Sequence, residues 1–178
     1  MKKLSIGEKN MKQLCKFLFV SALFLPSLGI TSNLYTDEQC LTANVFFEAR
    51  GESLKGMRAI ADTTLNRTKH SAFKGQDAVC KVVFAKGQFS WTFQLPKKRI
   101  QRVLNADLAG FKAEDVSAYR KASEVAVQAL NNEPVSRLPS WVVNFHTVQI
   151  SPPWSNKMRY YATVGNHKFY GFKKKGSK

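Results

Sequence analysis

The chain reads as one α+β domain, helix-rich at first and with a small β region towards its C-terminus. Three observations predict this. Capped or amphipathic helical patterns occupy residues 36–67 and 114–130, and β-branched and aromatic residues gather in 141–148 and 160–172. A length of 178 residues also supports one sizeable core and not comfortably two.

The first helix begins at Thr36-Asp37-Glu38-Gln39, a capping-box signature, and Gly51 can supply a left-handed stop. At about 100° per residue, Leu41, Asn44, Val45 and Glu48 fall on one side of it. Phe46 and Phe47 make the helix apolar around most of its girth. A carboxylate in such surroundings is disfavoured in its charged form, so the pKa of Glu48 should rise, which suits a general acid near neutral pH. The plainer reading is a surface Glu on a poorly drawn helix. A second helix follows, with Ser53 as cap, Met57, Ile60, Ala61, Thr64 and Leu65 on one stripe, and an end near Asn66-Arg67. A third is expected over Asp77–Ala85, with Val79, Val82 and Val83 inward and Gly87 as its stop. The aromatic segment Gln88–Pro96 reads as an extended loop or short strand. Glu114–Leu130 is a long helix with Val116, Tyr119, Ser123, Ala126, Val127 and Leu130 on its stripe and Pro134 beyond its end. Trp141–Val148 is β-rich, Pro152-Pro153 forces a turn, and Tyr160–Phe172 holds a second β-like segment.

Hydrophobic content of 44% is ordinary, whereas a net charge of +16 is not. Such a field favours polyanionic surroundings: nucleic acid, anionic lipid or wall polymers. The N-terminus narrows the choice. Lys12 and Lys16 precede an apolar run over residues 17–30 that is short for a membrane span and broken by Pro26, the pattern of a secretory signal peptide. Residues 1–33 are therefore read as a signal peptide or N-terminal membrane anchor, 34–172 as the working domain and 173–178 as a basic tail. The protein is expected to be exported to the periplasm or cell envelope, cleaved from its leader or tethered through it. Residues 1–30 hold five Lys and one Glu, so the remaining 23 basic and 11 acidic residues leave a net charge of +12. Cys15 lies in the leader; Cys40 and Cys80 remain, and their spacing leaves pairing open.

Five blocks, in order, resemble the SleB-like (spore-cortex-lytic) cell-wall hydrolase family. They are Phe47-Glu48-Ala49-Arg50-Gly51-Glu52; Gly56 with Ala59-Ile60-Ala61 and Leu65-Asn66-Arg67; Val79-Cys80-Lys81-Val82-Val83 before Gln88-Phe89-Ser90-Trp91; Asn144-Phe145-His146 before Pro153-Trp154; and Gly165-Asn166-His167-Lys168-Phe169-Tyr170. The similarity spans residues 38–170. Relatives carry a Cys directly before Gln-Phe-Ser where this chain has Gly87, so the resemblance supplies no partner for Cys80. It implies a lysozyme-like or lytic-transglycosylase-like catalytic domain that acts on the glycan strand of peptidoglycan, with Glu48 as the catalytic residue.

Cleaving a glycosidic bond needs a proton for the departing oxygen and stabilisation of an oxocarbenium-like centre. One glutamate can serve a transglycosylase, giving its proton and then taking one from the muramic C6 hydroxyl. Glu52 lies four residues on but beyond the expected helix break, so it is read as orienting Arg50 or capping the next helix. Gln88, Ser90 and Trp91 offer hydrogen bonds and a flat face for a sugar ring, with His146, His167 and Tyr170 as further substrate contacts. Each of these also has a packing reading: Phe89 and Trp91 in an aromatic cluster, the histidines satisfied in the core, and Asn66 and Arg67 structural at a helix end. Rival functions are a hydrolytic muramidase, a zinc amidase using His70, His146 and His167, and a basic wall-binding module. No spaced ligand motif supports zinc, so neither cofactor nor metal is expected. The stretch Lys97-Lys98-Arg99-Ile100-Gln101-Arg102 would suit phosphate contacts, but the leader argues against a nucleic-acid partner. Peptidoglycan, association with anionic wall polymers or a membrane surface, and a monomer are expected.

Overall fold

The computed structural model describes residues 35–69, 71–131 and 138–172; the leader with Cys15, His70, Pro134 and the basic tail lie outside them. Helix α1 (Asp37–Ala49) starts as its capping box requires. Thr36 Oγ1 accepts from the Gln39 N–H, and the Gln39 side chain accepts from the Thr36 N–H at 2.8 Å. Its end differs from expectation, because Gly51 does not take a positive φ. The Glu52 N–H instead donates to the Ala49 carbonyl at 2.9 Å, a tight last turn that needs no left-handed residue. Helix α2 (Leu54–Thr68) is capped by Ser53, whose hydroxyl accepts from the Gly56 N–H.

Helix α3 (Ala78–Phe84) stops at an extended Ala85, and Gly87, at φ 76°, serves the turn that follows rather than the helix end. Two hydrogen bonds and a disulfide fix α3 to α1: Asp37 Oδ1 accepts from the N–H groups of Val79 and Cys80, and Cys40 is bonded to Cys80. That pairing, left open by spacing, closes a long loop and contributes on the order of 2–4 kcal/mol. Between residues 88 and 96 the structure corrects the extended reading. A single helical turn, α4 (Trp91–Gln94), forms there as Gln94 donates to the Ser90 carbonyl and Trp91 turns its ring into the core. Helix α5 (Lys97–Leu104) was not anticipated; it buries Ile100, Val103 and Leu104 beneath its cations.

Helix α6 (Ala113–Leu130) packs on α1 and α2 through Ala118, Ala122, Val125, Ala126 and Ala129. Of the expected stripe only Ala126 is fully buried, while Val127 is 37% exposed. Alanines let helix backbones approach closely, so small residues rather than the largest apolar ones mark the buried face.

Three strands complete the domain: β1 (Val142–Thr147), β2 (Arg159–Val164) and β3 (His167–Gly171), antiparallel in the order β1-β3-β2. The second β-like segment is thus a hairpin, turned at Gly165 (φ 57°) and Asn166. Phe145 and Phe169, paired across β1 and β3, face the helices and join the core. Their neighbours His146 and Tyr170 consequently face the other way. Asn66 and Arg67, at the end of α2, secure β1: Asn66 Nδ2 donates to the carbonyls of Pro139 and Val142, and Arg67 Nε to that of Val143 at 2.6 Å. The class is α+β, with helices first and a small sheet last.

Candidate active site

Glu48 occupies the last turn of α1 and is half-buried. Among the described residues none donates a hydrogen bond to its carboxyl group. Burial raises its pKa from an ordinary 4.5 to about 7, against an opposing pull from the Arg67 charge. Arg67 answers in kind: burial brings its pKa down to about 10, and the Glu48 charge partly restores it. The Arg67 side chain is held in place by the Val143 carbonyl, by Gln88 Oε1 at 3.3 Å, and by the faces of Phe89 and Phe145. A carboxyl that titrates near neutral pH within the field of a fixed cation can both release a proton and tolerate the charge that remains.

The turn of α1 before Glu48 fixes an aromatic wall. The Trp91 indole N–H donates to Asn44 Oδ1 at 3.0 Å, Asn44 Nδ2 donates to Thr64 Oγ1 at 2.9 Å, and the Thr64 hydroxyl donates to the Ile60 carbonyl. Every buried polar group in this chain of bonds is satisfied, which gives Trp91 one orientation. Phe47 stacks on its ring, with centroids 4.6 Å apart. These two rings, with Ser90, Gln94, Arg50 and Arg99, line a cavity of about 260 Å³. The structure therefore gathers Ser90 and Trp91 beside α1, with Gln88 joined to Glu48's neighbourhood through Arg67.

The other expected contacts lie elsewhere. His146 and Tyr170 stack on the sheet face turned from the helices, under Trp154 and Tyr160. There His146 Nδ1 donates to the Thr147 carbonyl, and in the neutral ring Nε2 accepts from the Tyr170 hydroxyl at 3.1 Å. Both ring nitrogens are thus engaged in packing. His167 points to the opposite face, against Phe145 and Phe169, and its Nδ1 lies 3.4 Å from Glu52 Oε1. Burial pushes the His167 pKa down, with the Glu52 charge opposing. His146 and His167, on opposite faces of one sheet, cannot share a metal ion. Among the described residues no group of three or more His, Cys, Asp or Glu side chains is placed to hold one.

Glu52 neither orients Arg50 nor caps α2. Arg50 pairs with Asp115 on α6 at 3.0 Å, and Ser53 makes the cap. Glu52 instead reaches the β2–β3 turn, where Oε1 accepts from the Asn166 N–H at 3.0 Å; its side chain is only 8% exposed. Gly165 and Gly56 leave it room, since a Cβ at either position would press on its side chain. The sequence reading assigned no role to Asn44, although a polar residue on the apolar stripe one turn before Glu48 was the available signal. Phe47 and Arg99 also line the cavity, and periodicity alone carried no sign of that.

Comparison with known proteins adds four findings. A family model described as cell wall hydrolase matches residues 51–170, a span that begins three residues after Glu48. The fold is similar to that of the catalytic domain of the germination-specific lytic transglycosylase SleB from Bacillus anthracis, with TM-score 0.51 and 21% identity over 78% of this chain and 98% of that one. The catalytic domain of the Bacillus cereus SleB protein matches with TM-score 0.49 and 21% identity, over 78% of this chain and 93% of that one. No curated protein matches significantly.

Proposed function

This chain belongs to the cell wall hydrolase family, and from that premise we propose that it cuts the glycan strand of peptidoglycan between N-acetylmuramic acid and N-acetylglucosamine as a lytic transglycosylase. One observation carries the reading: a half-buried glutamate, Glu48, with its pKa raised to about 7, next in sequence to Phe47, which lines an aromatic-walled cavity, in a peptidoglycan-cleaving family. Protonated Glu48 gives its proton to the glycosidic oxygen as the bond to the muramic anomeric carbon breaks. The resulting carboxylate faces the oxocarbenium-like centre and then takes the proton of the muramic C6 hydroxyl, whose oxygen closes on the anomeric carbon. The proton count balances, no water is consumed, and Glu48 ends protonated.

Engagement of Glu52 by the β2–β3 turn supports a one-glutamate reaction over a lysozyme-like carboxylate pair. Ser90 and Gln88, exposed around the buried Trp91, would contact the sugar. A leader-directed export and a strongly basic surface would bring the enzyme to an anionic wall.

Mass analysis of digested, purified peptidoglycan tests this. Products should end in anhydromuramic residues, one water lighter than hydrolysis products, and should take up no ¹⁸O from labelled water. Borohydride-reducible ends carrying ¹⁸O would establish a muramidase instead, and release of amino groups from stem peptides would reject both.

A further inference from the structure

A second cavity, of about 460 Å³, is lined by Lys98, Arg99 and Arg102 of α5 and by Phe111, Lys112 and Asp115 around the start of α6. Its charge is one-sided. Asp115, the acid on its lining, is already paired with Arg50, and Arg102 is committed to Asp107 Oδ2 at 2.9 Å and to the Ala109 carbonyl. Arg99 and Lys112 make no ion pair among the described residues, and Lys98 acts on Asp107 through charge without a contact. The guanidinium groups of Arg99 and Arg102 lie over the Phe111 ring, 5.6 Å and 5.0 Å from its centroid, so the cavity has an apolar side that holds its cations in place.

Two features join this cavity to the one beside α1. Arg99 lines both, and the Arg50–Asp115 pair spans them, Arg50 lining the smaller and Asp115 the larger. A polymer seated over Phe47 and Trp91 would therefore carry whatever projects from it over Lys98, Arg102 and Lys112. A glycan strand of peptidoglycan projects peptides bearing free carboxylates from its muramic residues. Fixed guanidinium and ammonium groups bind carboxylates through charge-assisted hydrogen bonds.

We propose that the α5–α6 cavity is a carboxylate subsite that binds the peptide stem of the substrate while the glycan lies in the cleft beside α1. The proposal rests on the glycan-cleaving reading above. It assigns to α5 a task in substrate selection: strands with stems are held, and stripped strands are held less well.

The test uses Lys98→Glu/Lys112→Glu, two exposed positions outside the cleft, alongside the wild-type chain. Substrates are purified glycan strands with stems and the same strands stripped of them by an amidase. The double variant should raise KM on stem-bearing strands by about tenfold, with kcat and cleavage of stripped strands unchanged. Equal KM values for wild type and variant on stem-bearing strands would overturn the subsite, as would an equal loss on both substrates. Binding of a disaccharide-tetrapeptide and of its peptide-free disaccharide to the Glu48→Gln protein gives a readout that needs no turnover. Preference for the peptide-bearing ligand, lost in the triple variant, supports the subsite even if product analysis rejects transglycosylation. Preference for a glycerol phosphate oligomer over the peptide-bearing ligand would reassign the cavity to phosphate polymers and overturn it.

Discussion

Glu48 and Glu52 stand four residues apart on either side of a helix end, and the two regions treat the same side chain in opposite ways. At the end of α1, Glu48 meets no donor among the described residues, keeps partial access to solvent and has its pKa raised to about 7. Just past the helix end, Glu52 is buried against a hairpin whose backbone N–H it satisfies and whose glycine makes room for it. The short turn at residues 50–53 thus separates a carboxyl whose pKa burial raises from one held by the hairpin backbone. Had α1 run one turn further, both would have shared a helical face.

The comparison breaks most visibly in turnover. Glu48→Gln should lower activity by about 10³-fold or more with the fold intact, as loss of a general acid together with loss of transition-state charge implies. Near-wild-type cleavage of purified peptidoglycan by the folded variant would end the assignment.

The same substitution should stabilise the protein. A carboxyl whose folded pKa lies above its unfolded value has its full stability below pH 4.5 and loses it as pH rises through about 7. Glutamine removes that loss. Glu48→Gln should thus exceed wild type by at most about 3 kcal/mol above pH 7 and match it in acid, after allowance for solvent screening. Asp62, raised to about 6 chiefly by burial, contributes to both proteins and cancels in the difference. Denaturant midpoints at pH 5 and pH 8 decide it; a wild-type advantage at pH 8 would contradict the desolvation of Glu48.

At Glu52 the signs reverse. Glu52→Ala orphans the Asn166 N–H and should cost about 1–3 kcal/mol, with activity per folded molecule much less affected than in Glu48→Gln. Gly165→Ala, at φ 57° and against the Glu52 carboxylate, should destabilise by a similar amount. Thermal melts with parallel activity assays check both, and loss of activity without loss of stability in Glu52→Ala would give Glu52 a chemical role. The smallest shift expected in the pH–rate profile concerns Arg67, whose charge lowers the Glu48 pKa. Arg67→Gln should move the alkaline limb of the pH–rate profile upward, and an unmoved limb would uncouple the pair.

Much of the helical layer was legible because its signals are local. The Thr36 box, the Ser53 cap and the period of Met57, Ile60 and Ala61 need no knowledge of distant contacts. Helix α5 escaped because its apolar positions Ile100, Val103 and Leu104, though correctly spaced, lie among Lys97, Lys98, Arg99 and Arg102, which drew attention to charge. The α6 stripe was misjudged because burial there follows small size, not hydropathy. The site divides the same way. The raised pKa of Glu48 was legible in its position on an apolar stripe, whereas the separation of His146 and Tyr170 from Ser90 and Trp91 depends on sheet register, which shifts at bulges between Val142 and Asn144 and between Tyr160 and Ala162.

If Glu48 is the acid that protonates the glycosidic oxygen, its titration governs turnover. A ¹³C NMR titration of its side-chain carboxyl, assigned by comparison with Glu48→Gln, tests this most directly when set beside the pH dependence of kcat. The expected midpoint lies near 7 and coincides with the alkaline limb of kcat. A midpoint near 4.5, with activity persisting above pH 7, would contradict it.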